Sequence, residues 1–120
     1  MKVKDIAKVA DEICVLVVIN SDGNLIAYDY AYKYLDSGEY AMQGNLKVIH
    51  MTAGLDNTGN QRISVMVGDD ADYKKKIEGW NKAYNNFEAE CVAQAIIPYT
   101  AEWYSRLNKA KVDFWGEYFV

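Results

Sequence analysis

The sequence predicts an α+β fold with a short N-terminal helix, a four-stranded antiparallel sheet made of two hairpins, and two C-terminal helices packed on the sheet. Three observations support it: the apolar run ICVLVVI at residues 13–19, alternation of apolar side chains as far as Gly68, and a helical period from Asp70 onward. No linker accompanies this change of period. The 120 residues are therefore predicted to form a single domain, with the sheet in residues 1–68 and a helical half in 69–120.

The first elements along the chain are a covering helix and a hairpin. Residues 2–11 place their apolar side chains on one stripe and their charges around the rest, as an amphipathic helix does. Residues 13–19 are apolar at every position and rich in β-branched side chains, which predicts a central strand buried on both faces. The Asp22-Gly23 pair then predicts a tight turn into a second strand from Leu25.

The second strand leads into an unusual pattern, in which tyrosine occupies every second position from residue 28 to residue 34. We expect the strand to end near Tyr30 and a short turn of helix to follow at residues 31–35, closed by the sequence Asp-Ser-Gly at 36–38. The alternative is a longer strand, on which all four tyrosines would line one face of the sheet.

Two further strands are predicted at residues 46–51 and 61–67, and the second of these alternates apolar with other side chains. The polar sequence at 54–60 predicts the hairpin turn between them. Because the turns within both hairpins are short, and parallel strands need long crossover connections, we expect a fully antiparallel sheet.

Two helices are predicted in the rest of the chain. The first runs from Asp70 to about residue 97 and carries a stripe of large apolar side chains at spacings of three and four, which must face an apolar surface. Pro98 ends it, because proline lacks the amide hydrogen. The second helix covers residues 100–115, and Gly116 terminates it.

The charge balance excludes one class of partner. A net charge of −4 and an isoelectric point near 4.9 argue against direct binding of nucleic acid, which depends on neutralising phosphates. The acidity suits a basic protein partner, or is simply that of a soluble surface. Neither a signal peptide nor a membrane-length apolar stretch is evident, so we expect a cytoplasmic protein that does not bind membranes, with Cys14 and Cys91 reduced and buried.

No residue pattern predicts a catalytic, metal or cofactor site. His50 is the single histidine and has no ligand-type partner at a suitable spacing, so we expect a structural or surface role. Asp69, Asp70 and Asp72 do not have the spacing of a calcium loop and are expected to cap the helix that follows. The protein is therefore predicted not to be an enzyme and to use no metal or cofactor.

Tyrosine is the best functional indication in the sequence. Ten of the 120 residues are tyrosine, a residue enriched where proteins bind one another because it combines a large contact area with a polar tip. A protein-binding surface is therefore expected to consist of Tyr30, Tyr32, Tyr34, Asp29, Asp36 and Glu39. The alternative is that these tyrosines pack beneath the C-terminal helices.

The beginning of the chain resembles a group of known proteins. The sequence VKDI at residues 3–6, the apolar strand and the DGN turn at 22–24 are similar to the start of small proteins of phages and mobile elements in Gram-positive bacteria. Small, acidic, single-domain proteins of that setting resemble anti-CRISPR and other anti-defence inhibitors, which act by binding a host effector. The resemblance implies a bacterial host cytoplasm and a protein partner, with a basic nucleic-acid-binding effector such as Cas9 as the candidate.

The leading expectation is thus a non-catalytic protein-binding inhibitor of a host defence effector, which acts by occluding a nucleic-acid channel or by blocking a conformational step. A first alternative is a homo-oligomeric structural or scaffold protein, such as a homodimer, with Trp115, Tyr118 and Phe119 at the interface; otherwise these three side chains close the core. A second alternative is a small-ligand binder or enzyme with a pocket between sheet and helices.

Overall fold

The structure is a computed structural model that describes residues 1–119, and it confirms the α+β class. Its helices and strands are α1 (Val3–Val9), β1 (Val15–Asn20), β2 (Leu25–Tyr30), β3 (Val48–Leu55), β4 (Gln61–Val67), α2 (Asp70–Ala93) and α3 (Ala101–Trp115). The chain divides into two compact units, which we call the sheet unit (Met1–Tyr73) and the helical unit (Lys74 onward). The boundary between them falls in the first turn of α2, a few residues after the change of period at Gly68.

The four strands form one sheet in the order β2-β1-β4-β3, and the sheet is mixed. β1 pairs with β2, and β3 with β4, as antiparallel hairpins, but the central strands β1 and β4 run parallel to each other. The prediction of a fully antiparallel sheet was therefore wrong. Residues 31–47, which link the two hairpins, are long enough for the crossover of about a dozen residues that a parallel pair needs.

The prediction that the strand at residues 13–19 is buried on both faces is confirmed for Val15 to Ile19, which are all buried. It was wrong for Ile13, which precedes β1 and is 65% exposed. β2 and β4 pair with the two sides of β1, so it is a central strand of the sheet. One face of the sheet forms a core with α1 and the crossover connection. The buried members of this core are Val3, Ile6, Ala7, Leu16, Val18, Ala27, Ala31, Tyr34, Val65 and Val67.

Both hairpin turns are closed in the same way, by one side chain and one glycine. Oδ1 of Asn20 accepts hydrogen bonds from the N–H groups of Asp22 (3.0 Å) and Asn24 (2.9 Å). In the second turn Oδ1 of Asp56 accepts the N–H groups of Thr58 and Asn60, each at 2.9 Å. β3 extends to Leu55, so the turn begins at Asp56 and not at residue 54, where the polar sequence at 54–60 predicted it.

The helices of the second half begin with side-chain caps. Asp69 precedes α2 and Asp72 lies in its first turn, and the two residues cap each other. The N–H of Asp72 donates to Oδ1 of Asp69 at 2.8 Å, and the N–H of Asp69 donates to Oδ2 of Asp72 at 2.9 Å. The capping role predicted for the aspartates is thereby confirmed for Asp69 and Asp72, whereas the carboxylate of Asp70 accepts from the ammonium of Lys47. Oγ1 of Thr100 accepts the N–H of Trp103 at 3.3 Å and caps α3.

The helical unit has its own core, which the predicted stripe largely supplies. Its buried members are Phe87, Cys91, Ile96, Trp103 and Leu107, with Trp80, Tyr84 and Ala110 packed against them. α2 ends at Ala93 rather than at residue 97, and the chain adopts a positive φ of 56° at Ala95 before Pro98. The packing of the two helices on the sheet remains a prediction.

Candidate functional site

The tyrosine-rich segment lies where β2 gives way to a single 3₁₀ turn at Ala31–Tyr34, as the preferred sequence interpretation predicted. Tyr30 and Tyr32 remain exposed, at 40% and 53% of their surface. Their rings stack with centroids 6.1 Å apart and planes only 8° from parallel. We call these two residues the tyrosine pair; it offers a preformed aromatic surface to a partner.

Tyr34 does not belong to this surface, and its assignment as a contact residue is corrected. Its side chain is fully buried, its hydroxyl donates to the backbone oxygen of Leu16 at 2.6 Å, and burial raises the pKa of the phenol well above its usual range. In a 3₁₀ turn residues three apart share a side, so Tyr34 points inward with Ala31 while Tyr32 points outward. Tyr34 is thus a core residue, but the core to which it belongs consists of residues of the sheet unit and not of the C-terminal helices that the alternative interpretation named.

The crossover connection holds Tyr34 in place. The ring of Tyr40 packs against it with centroids 5.4 Å apart, and the N–H of Tyr40 donates to the backbone oxygen of Lys33 at 2.8 Å. A Cβ atom at Gly44 would lie 2.2 Å from the backbone oxygen of Tyr34, so only glycine allows this close approach. The tyrosine pair therefore lies on a well-packed support.

An ion-pair network flanks the tyrosine pair. The ammonium of Lys33 lies 3.1 Å from Oδ2 of Asp29 and 3.8 Å from Oε2 of Glu39. Partial burial acts to raise the pKa of Asp29, but hydrogen bonds from the N–H of Tyr30 and from Lys33 outweigh it, so this pKa falls below its usual value. The hydrogen bond to Asp29 likewise raises the pKa of Lys33. Both groups are charged at neutral pH.

The segment that carries the tyrosine pair is acidic, although Asp29 lies opposite Leu16 in the register and so on the other face of the sheet from Tyr30. Asp29, Asp36 and Glu39 provide three carboxylates against the single ammonium of Lys33, and Asp36 and Glu39 are exposed. Exposed aromatic rings and carboxylates both attract guanidinium and ammonium groups, the rings through their faces and the carboxylates through their negative charge. We call residues 29–39 the 29–39 segment; it combines two exposed tyrosine rings with three carboxylates and one ammonium.

The aromatic chain end is mostly buried in the single chain. Trp115 and Phe119 are buried, and Tyr118 is partly exposed. The Trp115 ring lies 6.2 Å from that of Trp80 and 4.8 Å from that of Phe114, so it belongs to the aromatic packing of the helical unit. This burial favours the alternative in which the chain end closes a core, while an oligomer interface there remains only a prediction.

Both cysteines and the histidine are buried or partly buried. Cys14 and Cys91 are buried free thiols, as predicted, and burial raises the pKa of Cys14 away from the reactive thiolate form. His50 lies on β3, and partial burial lowers its pKa. Within residues 1–119 no group of three or more potential metal ligands comes together, and none of the helices there has the length and apolarity needed to cross a membrane.

Two surface grooves lie within the units. The groove of the helical unit, of about 610 Å³, runs between α2 and α3 over Phe87, Cys91 and Ala110, with charged side chains of both helices along its rim. The groove of the sheet unit, of about 840 Å³, lies between the end of α1 and strands β3 and β4. Its apolar lining includes Val9 and Leu55, both strongly exposed.

Two surface features of the structure were not predicted from the sequence. Lys33 forms ion pairs with Asp29 and Glu39, and its spacing of four residues from Asp29 is the signal that could have indicated the first of these pairs. The second feature is β3, whose exposed side chains Met51 and Leu55 lie on an edge of the sheet. The order of the strands makes β3 an edge, and that order follows from the parallel pairing that the sequence did not reveal.

Comparison of the chain with protein-family models, with curated proteins and with solved structures finds no match.

Proposed function

We propose that the protein is a non-catalytic protein-binding module and that the 29–39 segment is its contact surface. The observation that carries this proposal is the stacked, exposed tyrosine pair, Tyr30 and Tyr32. Leaving two large rings in water side by side forgoes the free energy that burial would provide, whereas tyrosines held rigidly at a surface lose little entropy on binding. Such side chains are typical of binding hot spots.

The charge of the segment defines the partner's chemistry. Asp29 and Glu39 both contact Lys33, so one of these two negative charges remains uncompensated, and Asp36 adds another. With a net charge of −4 over the whole chain, long-range attraction favours a basic partner and raises the association rate at low salt. Arginine fits best, because its planar guanidinium can stack on a tyrosine ring while it pairs with a carboxylate.

The narrower proposal is an inhibitor of a host defence effector that binds nucleic acid, with Cas9 as the candidate target. It is supported by the acidity of the chain and by the resemblance of the first third to half of the sequence to small phage and mobile-element proteins. The mechanism is occlusion: an acidic, aromatic surface occupies part of a basic channel and competes there with the phosphate backbone.

The test replaces the tyrosine pair. A Tyr30→Ala/Tyr32→Ala variant is compared with a control variant, Tyr73→Ala/Tyr104→Ala, which removes two tyrosines that are each 49% exposed elsewhere. Each protein is immobilised, exposed to a bacterial lysate, and its retained partner is identified and titrated. The first variant is expected to weaken binding of that partner by about 30-fold or more, and the control by less than about threefold.

Two results would contradict the two levels of the proposal separately. Equal partner affinities for the two double variants, with native circular dichroism spectra, would show that the 29–39 segment is not the contact surface. The narrower proposal is tested by adding the wild-type protein to purified Cas9 with guide RNA and a DNA target. Undiminished cleavage at a large molar excess of the protein would exclude Cas9 as its target.

A further inference from the structure

β3 forms one edge of the sheet, and among residues 1–119 backbone hydrogen bonds cover only the first part of this edge. β4 lies on its inner side, where the two strands pair from Val48 to Leu55. On the outer side the N-terminal segment pairs with the residues around Lys47. The N–H of Val48 donates to the backbone oxygen of Met1 at 2.9 Å, and the N–H of Val3 to that of Leu46 at 3.0 Å. The N-terminal segment thus forms an antiparallel bridge at this edge, between Lys2 and Lys47, and its contact ends at Val48.

The hairpin geometry determines which backbone groups of β3 point outward. The N–H of Asp56 donates to the backbone oxygen of Asn60 at 2.9 Å, so residue 56 faces β4. Because the direction alternates along an antiparallel strand, Thr52 faces β4 as well. The N–H and C=O groups of Met51, Ala53 and Leu55 are then directed away from the sheet.

None of the usual devices that protect an edge strand is present in this part of β3. Its sequence, VIHMTAGL, contains no lysine, no acidic residue and no proline, and its one irregularity lies between Val48 and His50, at the covered end. The other edge strand, β2, carries Asp29, which pairs with Lys33. Of the two edge strands, β3 is therefore the one whose sequence does not hinder pairing with a further strand.

The side chains beside this edge are apolar and exposed. Met51 and Ala53 pair with Val65 and Ile63, which places them on the face of the sheet that packs against α1. Met51 is 48% exposed and Leu55 is 65% exposed, and Ala53 and Leu55 line the groove of about 840 Å³. A strand added at this edge would hydrogen-bond to the backbone and also cover apolar surface.

We propose that the partner at this edge is a second copy of the chain, paired antiparallel through β3 with the twofold axis at Ala53. In this register Met51 lies opposite the partner subunit's Leu55, and Leu55 opposite the partner subunit's Met51. The three outward-facing residues of each copy then form three hydrogen-bonded pairs, with about six hydrogen bonds in all. The two sheets become one continuous sheet of eight strands.

The side chains around the axis favour this occupant. The small side chain of Ala53 meets its own copy at the axis, and the exposed Met51 and Leu55 contact each other in two equivalent pairs. Like charges do not oppose each other along the paired stretch, because Ile49 lies opposite Asn57 of the partner subunit and His50 opposite the partner subunit's Asp56. Oδ1 of Asp56 is held within its own turn by Thr58 and Asn60. The net charge of −4 on each chain opposes association at long range, but no like charges face each other along the paired strands themselves.

The test uses matched charge variants and sedimentation equilibrium over a wide concentration range. The variant Met51→Lys/Leu55→Lys opposes like charges twice across the axis, whereas Met51→Lys/Leu55→Glu opposes unlike charges twice. A control, Val92→Lys/Ile97→Lys, adds the same charge as the first variant at two exposed apolar positions of the helical unit, which are 80% and 69% exposed. Circular dichroism checks that each variant is folded.

The wild-type protein is expected to dimerise with a micromolar dissociation constant, as small interfaces do. The double-lysine variant is expected to raise that constant about tenfold or more, while the lysine-glutamate variant and the control stay within about threefold of the wild type. A wild-type monomer at every concentration, or unchanged dimerisation of the double-lysine variant, would overturn the proposal. A lysine-glutamate variant as weak as the double-lysine variant would overturn the register.

Amide hydrogen exchange of the wild-type protein provides a second measurement that needs no variant. The amides of Met51, Ala53 and Leu55 are expected to exchange more slowly as the protein concentration rises, whereas that of Thr52, bonded to β4, should not change. Exchange of the three outward amides at concentration-independent rates would exclude the interface. Because Tyr30 and Tyr32 are untouched in these experiments, the outcome is independent of the proposed protein-binding function.

Discussion

The sheet unit and the helical unit are stabilised by different kinds of core. The core of the sheet unit combines side chains of α1, three strands and the crossover, and its members Leu16, Val18 and Val65 are completely buried. The core of the helical unit comes from two helices and the residues between them. Its members, among them Trp103 and Leu107, each keep some exposed surface, up to 9%.

The difference shows how geometry limits the burial of side chains. Two helices bury only the stripes of side chains with which they face each other, so the side chains of this core keep a small exposed fraction of their surface. Aromatic rings compensate, because each one covers a large area. The helical unit therefore contains a chain of ring contacts at centroid distances near 5 to 6 Å, which links Trp80, Tyr84, Phe87 and Trp103.

The largest effect is expected from Leu16→Ala in the sheet unit. The side chain is completely buried in the core that α1 and the crossover form with the sheet, so the cavity cannot collapse, and the free energy of unfolding should fall by about 3–4 kcal/mol. Urea unfolding combined with amide exchange of β1 and β4 measures it, and Leu25→Ala, at a half-exposed position of β2, is the control. A loss below about 1 kcal/mol for Leu16→Ala would mean that this core is not the main source of stability.

The same substitution in the helical unit, Leu107→Ala, tests the comparison directly. Because part of the Leu107 side chain is exposed, water and neighbouring rings can fill part of the cavity that the substitution leaves. We therefore expect the free energy of unfolding to fall by about 2 kcal/mol. Tryptophan fluorescence reports on this unit alone, since all three tryptophans, Trp80, Trp103 and Trp115, lie within it. If Leu107→Ala proved as costly as Leu16→Ala, the two cores would not differ as described.

A smaller effect is expected from Tyr34→Phe, which separates the buried tyrosine from the exposed pair. The change removes the hydroxyl that donates to the backbone oxygen of Leu16 and leaves a buried acceptor with one bond fewer, at a cost of about 1–2 kcal/mol. Tyr32→Phe removes an exposed hydroxyl and should change stability by less than about 0.5 kcal/mol. Equal unfolding midpoints for the two variants would argue against the buried position of Tyr34.

The smallest effect concerns the pH dependence of the sheet unit. Partial burial lowers the pKa of His50 below its ordinary value of 6.5, so the unfolded chain binds this proton more tightly than the folded chain. Stability from this group is fully present above pH 6.5 and declines as the pH falls through the lowered pKa. The urea unfolding midpoint of the His50→Gln variant should depend less on pH, and only in this window. The carboxylates with lowered pKa values, such as Asp29, titrate below 3.8 and do not contribute there. An identical pH profile for this variant would refute the assignment.

The local parts of the fold were predictable from the sequence. Residues 61–67 are a strand as predicted, the Asp22-Gly23 turn joins β1 to β2, and Asp69 caps α2. Each depends on interactions within a few residues, such as alternation, a glycine with positive φ or a side-chain cap. The end of β3 was less predictable, since Gly54 suggested a turn but its pairing with Arg62 keeps it in the strand.

The candidate site was predictable only in part. The tyrosine-rich sequence indicated the region, and the structure places Tyr30 and Tyr32 at the surface. Tyr34 could not be separated from them, because a strand would place it on their side and a 3₁₀ turn places it inward. The ion pairs of Lys33 require Glu39 of the crossover to fold back toward it, which is a tertiary contact.

By itself, the sequence determined the α+β class, the buried character of the central strand and the capped aromatic helices, because alternation, periodicity and caps act over short distances along the chain. Only the tertiary structure decided that β1 and β4 pair in parallel, that β3 becomes an edge and that Tyr34 is buried. These outcomes depend on the path of residues 31–47. The length of that connection permits several strand orders, and packing between distant residues selects one.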